Sequence, residues 1–237
     1  MAEIWETSDG KRFDSVNARI EAESHQRDID NSSKKSFTGK GKEAFPTGVY
    51  EGDFVSGNFH GKGKYTYKAG TVYEGDFVNN DRTGKGKFTW PEGDIYEGDF
   101  IKGELHGKGK YTFSSGTIYE GDYVHGKQTG KGKITWTDGD IYEGDFVDGK
   151  RTGKGKYIHA NPNNGILEGD FTDGDLHGKG KLMKADGTIV YEGDWINGQP
   201  VLSSKAPSPS AKFCKQCGNK LSEGKKFCGG CGAKIGG

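Results

Sequence analysis

Tyr50-Glu51-Gly52-Asp53-Phe54 is followed seven residues later by Gly61-Lys62-Gly63-Lys64-Tyr65, and the stretch between them, Val55-Ser56-Gly57-Asn58-Phe59-His60, is built around turn-forming residues. Each segment alternates in character from one residue to the next, and glycine is frequent in both. That combination favours strands over helices. The acidic segment returns at constant spacing at Tyr73, Tyr96, Tyr119 and Tyr142, then as LEGDF from Leu167 and YEGDW from Tyr191. The basic GKGK segment starts at Gly39, Gly61, Gly84, Gly107, Gly130, Gly153 and Gly178. Self-similarity at a fixed period marks a repeat array, here six full units with a half unit at each end.

An antiparallel register follows if Tyr50 faces Tyr65, Glu51 faces Lys64, Gly52 faces Gly63 and Asp53 faces Lys62. Side chains alternate across the pleat, so one face becomes charged and the other aromatic and glycine. Continuing the same faces into the next unit requires an odd return loop. Lys68-Ala69-Gly70, Pro91-Glu92-Gly93, Ser114-Ser115-Gly116 and Thr137-Asp138-Gly139 supply it, each ending in a glycine suited to a left-handed third position. The expected fold is mainly β: an elongated, twisted, single-layer antiparallel sheet of serial hairpins, about 14 strands at ~4.8 Å spacing. Rings lying over the glycine ladder must stabilise it, because a single layer has no second layer to pack on. Cross-strand Glu/Asp to Lys pairs add only ~0.2–1 kcal/mol each.

Composition agrees with this picture. Only 30% of the 237 residues are apolar while 42 are glycine, which argues against a large two-layer core. Lysine plus arginine and aspartate plus glutamate balance at 34 each, so no net field draws the whole molecule to nucleic acid or an anionic membrane. The start, Met1-Ala2-Glu3-Ile4-Trp5-Glu6, has neither a basic nor an apolar leader character, and no apolar run approaches the ~20 residues that span a bilayer. The expected location is cytoplasmic.

Four regions follow. Residues 1–36 read as a strand, an Asp9-Gly10 turn, a strand and a helix from Ser15 to about Asp28, a candidate cap for the first sheet edge. Residues 37–198 hold the array, and 199–212 have the Pro/Ser composition of a linker. Residues 213–237 contain two similar knuckles, FCKQCGNKL and FCGGCGAKI, with the chain's only cysteines, Cys214, Cys217, Cys228 and Cys231. Four soft thiolates in two CxxC pairs suit one structural Zn²⁺. A redox dithiol or two disulfides are the alternatives, but a redox site needs one CxxC and a reducing compartment favours metal. Lysines outnumber acids in this module, so it is mildly basic, yet no aromatic and arginine platform for nucleic acid accompanies it.

No catalytic residue is expected. His60, His106 and His177 share a position with Thr83, Thr129 and Thr152, which cannot replace imidazole chemistry; a turn hydrogen-bonding role suits both types. The paired carboxylates recur in every unit opposite lysines, as a solvated strand face would show. GKGK lacks the strand, loop and helix context of a phosphate-binding loop.

Tyr50, Gly52, Phe54, Gly57, His60, Gly61 and Gly63 stand in an order and spacing that resembles the membrane occupation and recognition nexus, or MORN, repeat. Tyr96, Gly98, Phe100, Gly103, His106, Gly107 and Gly109 repeat it in full, and the likeness covers residues 37–198. The tail resembles short zinc-ribbon modules. The MORN resemblance implies extended hairpin sheets that serve as scaffolds, with phospholipid binding as a further proposal for the family. The first functional reading is therefore a non-enzymatic scaffold binding a protein partner. Its candidate surface is the ring face: Tyr50, Phe54, Tyr73, Phe77, Tyr96, Phe100, Tyr119, Tyr123, Tyr142, Phe146, Tyr191 and Trp195. Phosphoinositide attachment, peripheral at a membrane, comes second, and nucleic-acid binding by the ribbon third. Two irregularities stand out. Leu167 replaces tyrosine after an enlarged loop at 159–165, putting regular stacking there in doubt, and the edge after Trp195 has no evident cover, which leaves it open to a second copy.

Overall fold

The computed structural model describes residues 37–202. The expected N-terminal hairpin and helix, the linker from residue 203 on and the four cysteines lie outside the described residues. Strands run in chain order as β1 (Gly39–Phe45), β2 (Gly48–Val55), β3 (Asn58–Tyr67), β4 (Val72–Val78), β5 (Asp81–Thr89), β6 (Ile95–Ile101), β7 (Glu104–Thr112) and β8 (Ile118–Val124). The series continues with β9 (Lys127–Thr135), β10 (Ile141–Val147), β11 (Lys150–Ile158), β12 (Ile166–Thr172), β13 (Asp175–Met183), β14 (Ile189–Ile196) and β15 (Gln199–Pro200). All 15 form one sheet in sequence order, each hydrogen-bonded antiparallel to its neighbour. Among the described residues there is no helix. Gln199 and Pro200, expected to open the linker, instead pair with Ile196 and Trp195.

Two kinds of connection alternate. Inside a unit, Ser56 and Gly57 both take positive φ, 49° and 80°, the type I′ geometry whose twist matches that of the flanking strands. Between units, Gly70 sits at φ 94° and donates to the Tyr67 carbonyl at 2.9 Å, closing the three-residue return loop. Each I′ turn is also tied to the unit before it. Asn80 donates its backbone N–H to Phe59 O at 3.0 Å, Gly103 to Arg82 O at 2.9 Å and Gly126 to Leu105 O at 2.9 Å, and the series runs on to Gly198 and Leu176.

The register holds at Tyr50 with Tyr65, Glu51 with Lys64 and Gly52 with Gly63, and at Tyr65 with Tyr73 across the return loop. It differs at Asp53, which faces His60 and not Lys62. The tight turn fixes Phe54 opposite Phe59, while the glycine pair fixes the other end. The strand therefore carries two surplus residues, Gly61 and Lys62, absorbed as a bulge with Gly61 at φ 59°. Asp53 Oδ2 accepts the Lys62 backbone N–H at 3.3 Å, satisfying a donor that the bulge removes from the ladder. The same cap recurs at Asp76, Asp99, Asp122 and Asp145, at 3.0 to 3.3 Å.

The core is a row of rings over glycine. A Cβ on Gly63 would lie 2.3 Å from the Tyr50 hydroxyl and 2.5 Å from its ring carbons, so only glycine admits the ring there. The hydroxyl donates to Asp53 O at 2.9 Å, clamping the ring along its own strand. Each tyrosine then meets the next unit edge-on: Tyr50 with Phe77 at 5.2 Å, Tyr73 with Phe100 at 5.2 Å, Tyr96 with Tyr123 at 5.3 Å and Tyr119 with Phe146 at 5.2 Å. Such T-shaped pairs contribute about 0.5–1.5 kcal/mol each beyond the area they bury.

Stacking continues through the irregular unit. Tyr157 faces Leu167 in register, and Tyr142 meets Phe171 edge-on at 5.0 Å. Leu176 fills the space over the glycine pair, with its methyl carbons 3.0 Å from the Cβ positions of Gly169 and Gly180. The enlarged loop folds back on Asp140, which accepts the Tyr157 hydroxyl at 2.7 Å and the Ala160 N–H at 2.7 Å.

Candidate interaction surface

The sheet gathers the ring positions singled out in the sequence into one row and buries them. Tyr50, Tyr73, Tyr96, Tyr119 and Tyr142 are fully covered, Phe54, Phe77, Phe100, Tyr123, Phe146 and Trp195 nearly so, and Tyr191 is half-buried. Burial pushes the Tyr50 phenol up to about 12, with the neighbouring Asp53 charge adding to the effect. Tyr96, Tyr119 and Tyr142 lie higher still, again through burial first. These hydroxyls remain protonated donors at any physiological pH, as a structural clamp requires.

Arginines join this layer in two units. The Arg82 guanidinium lies 4.7 Å from the Phe88 centroid and donates to Tyr67 Oη at 3.2 Å and Gly103 O at 3.1 Å. Arg151 packs over Trp136, Tyr142 and Tyr157 at 5.4 to 5.8 Å, and its burial lowers its pKa. They occupy the position held by Phe59, Leu105 and Leu176 in other units, so hydrophobic pattern alone did not reveal them. Their signal was a long cation at a position where other units place an apolar side chain.

The opposite face is the accessible one. Lys62 pairs with Asp76 at 2.7 Å, Lys85 with Asp99 at 2.6 Å, Lys108 with Asp122 at 2.6 Å and Lys131 with Asp145 at 2.6 Å. A second ladder joins Lys64 to Glu74 at 2.6 Å and Lys87 to Glu97 at 3.0 Å. All these pairs bridge one unit to the next. Beside them, at the I′ turns, runs an aliphatic row on the same side of the pleat: Val78, Ile101, Val124 and Val147 are 46%, 50%, 43% and 57% exposed. Open grooves lie on this face near both ends, one lined by Lys42, Glu51, Lys62, Lys64 and Glu74, the other by Lys154, Glu168, Lys179, Lys181 and Glu192.

His60 and His106 face Asp53 and Asp99 across the ladder, as Thr83 and Thr129 face Asp76 and Asp122. They sit beside the bulge and not within the turn. His125 Nδ1 lies 2.8 Å from Glu104 Oε2 on an exposed turn, and its ring centroid is 6.0 Å from that of His106. Among the described residues no three His, Cys, Asp or Glu side chains converge as metal ligands would.

Against known families, the MORN-repeat model matches residues 50–72, 73–95, 96–118, 119–141, 142–161, 168–189 and 191–201, more than half of the chain. The chain belongs to the MORN-repeat family. A zinc-ribbon domain model matches residues 213–235 of this MORN protein. No curated protein matches it. Solved structures similar to it include the TCP10 domain of Danio rerio CPAP, 14% identical over 65% of this chain and 94% of that one, with a TM-score of 0.24. The same domain in complex with a peptide of Danio rerio STIL is 13% identical over 66% and 99%, with a TM-score of 0.17. A streptogramin B lyase is 13% identical over 69% and 71%, with a TM-score of 0.17. Likeness at that level decides nothing about what the MORN array binds.

Proposed function

We propose that this chain is a non-catalytic scaffold that binds a protein partner along its MORN array, with the ribbon as a second interaction module. The observation that carries this reading is the periodic open face, where exposed Val78, Ile101, Val124 and Val147 run beside ladders of ion pairs and grooves. A surface that is both apolar and charged in alternating sign suits a complementary protein strand or helix. The ring row supports this face from behind. Phospholipid attachment comes second, because the lysines of the face are already neutralised by carboxylates 2.6 to 2.7 Å away and attract anionic lipid poorly.

Cys214, Cys217, Cys228 and Cys231 would hold one Zn²⁺. The donor set fits: four thiolates in two CxxC pairs match a closed, soft-ligand structural site. A reducing, cytoplasmic setting would keep these thiols available to the metal. The test pairs the full chain with its Ile101→Glu, Val124→Glu double variant in a proximity-labelling and pull-down comparison, alongside flotation with phosphoinositide vesicles at physiological salt. The expected result is a partner retained by the native chain, lost by the variant, and no flotation. Flotation that the variant leaves unchanged, with no partner lost, would overturn the protein-scaffold reading.

A further inference from the structure

Two units carry an arginine in the ring layer, and their surroundings differ. Arg82 is fully buried and donates to Tyr67 Oη at 3.2 Å and Gly103 O at 3.1 Å. Arg151 takes the same place in a later unit, opposite Phe146 as Arg82 is opposite Phe77. Trp136 stands there where the earlier unit has Tyr67, and an indole ring has no oxygen to accept the bond. The Arg151 guanidinium is framed instead by the rings of Trp136, Tyr142 and Tyr157 at 5.4 to 5.8 Å. Among the described residues it makes no hydrogen bond and no ion pair. It is half-buried, and none of its nitrogens is enclosed away from solvent.

The ring layer opens where this arginine sits. Around Arg82 the side chains of Tyr67, Phe88, Tyr96 and Tyr111 are all buried. At the matching positions around Arg151, Trp136, Tyr157, Leu167 and Leu182 are all half-buried. Tyr157 faces Leu167 and Leu167 faces Leu182 across β11, β12 and β13, so the three form an apolar strip that leads away from the guanidinium. The enlarged loop bounds the strip through His159, which packs on Tyr157 at 4.8 Å and has its Nδ1 3.2 Å from Asp140 Oδ2. Three departures from the repeat, the tryptophan, Leu167 and the loop, therefore meet at one cation.

We infer that Arg151 anchors a second binding site, which takes the carboxylate of an acidic side chain in a protein segment whose apolar neighbours lie along Tyr157, Leu167 and Leu182. A cation set among rings without an acceptor is destabilised by its partial loss of water, and a bound anion relieves that. The planar fork of a guanidinium matches the two oxygens of a carboxylate, and bonds of this kind are stronger in a ring-lined setting than on an open surface. A carboxylate suits the site better than a phosphate because the site offers one positive charge. The titratable groups bearing on Arg151 are Tyr157, Tyr142 and Asp175, none of them a cation. A phosphate dianion would keep an unbalanced negative charge near the exposed Asp175. The site lies on the ring side of the sheet, opposite the row of Val78, Ile101, Val124 and Val147, and does not depend on what that row binds.

The experiment is an NMR titration of the full chain with the peptide N-acetyl-Leu-Glu-Leu-amide, its glutamine analogue and its phosphoserine analogue, read at the Trp136 indole N–H and the Leu167 and Leu182 methyl groups. The glutamate peptide should shift these resonances saturably and bind at least about tenfold tighter than either analogue, the scale of one charge-assisted hydrogen bond. Arg151→Lys, which keeps the charge and loses the fork, should weaken it, and Arg151→Leu should abolish it. Arg151→Leu should melt no lower than the native chain, because Leu105 and Leu176 fill the same position in other units. Arg82→Leu should melt lower, having lost its bonds to Tyr67 and Gly103. The Ile101→Glu, Val124→Glu double variant should bind the peptide as the native chain does, which separates this site from the open face. No shift with the glutamate peptide, equal affinity for the glutamine analogue or tighter binding of the phosphoserine one overturns the inference. So do shifts that survive Arg151→Leu, or a fall in its melting temperature as large as that of Arg82→Leu.

Discussion

Gly121→Val tests the glycine floor directly. A Cβ at Gly121 would lie 2.4 Å from the Tyr119 hydroxyl, 2.7 Å from its Cζ and 2.8 Å from Gly132 Cα. Neither backbone can move without opening the ladder, so the ring must leave. Tyr119 then loses its complete burial, about 1.5–3 kcal/mol for a side chain of this size. It also loses the bond from its hydroxyl to Asp122 O at 3.2 Å, about 0.5–1.5 kcal/mol. Its edge contacts with Tyr123 at 5.4 Å and Phe146 at 5.2 Å add about 0.5–1.5 kcal/mol each. The sum, on the order of 3–7.5 kcal/mol, is comparable with the whole stability of many domains. Lys108→Gln is the control. It removes an ion pair to Asp122 whose lysine side chain is 71% exposed, about 0–1 kcal/mol, and leaves the backbone N–H on Asp99 intact. Urea unfolding followed by near-ultraviolet circular dichroism should separate the two variants widely, and hydrogen exchange should place the Gly121→Val loss in β8 to β10. Placed in a Tyr119→Leu background, where no hydroxyl reaches the floor, the smaller change Gly121→Ala should cost much less than it does alone. Coincident midpoints for Gly121→Val and Lys108→Gln, or a Gly121→Ala cost indifferent to Tyr119, would refute the reasoning.

Asp76→Ala should cost about 1.5–3 kcal/mol and Lys62→Ala about 0–1 kcal/mol, although the two residues form one ion pair, because only the aspartate also caps the bulge at the Lys85 N–H; equal losses by urea titration would mean the cap is idle. Alkaline titration should unfold the array: the Tyr50 phenol is raised to about 12 from an ordinary 10.0, so its stabilisation is complete below pH 10 and is lost as pH rises toward 12, and a circular dichroism signal unchanged over that window would contradict the burial. Zinc analysis after reducing purification should find one metal per chain, and chelation should release it while leaving the melting of the MORN array where it was; a metal content near zero would remove the ribbon assignment.

The hairpin order, the facing glycines and the return loops were legible because each is written in a local pattern: alternation gives the strands, and the third-position glycines give the loop geometry. The bulge was not legible, because GKGK alternates without a break through Gly61 and a two-residue slip preserves which face every side chain occupies. Only the turn pairing of Phe54 with Phe59 exposes it. That slip changes the meaning of Asp53 and its equivalents from partners of their own unit's lysine to caps of a bulge and partners of the preceding unit's lysine. The ring row itself was legible, but its degree of burial was not, since it depends on Tyr50 leaning over two glycines and meeting Phe77 of the next unit. In the sixth unit, the leucine at 167 suggested disturbed stacking; Leu176 replaces the missing ring from the adjacent strand, a substitution visible only once the two are neighbours.

Three separate interactions cross each boundary that follows a tyrosine-bearing unit: the Lys to Asp pair, the turn N–H to the preceding strand's carbonyl, and the tyrosine edge on the next unit's ring. The forces inside a unit are of the same kinds and similar size. A repeat whose internal and boundary terms are comparable has no weak seam, so the array should unfold over long stretches and not one hairpin at a time.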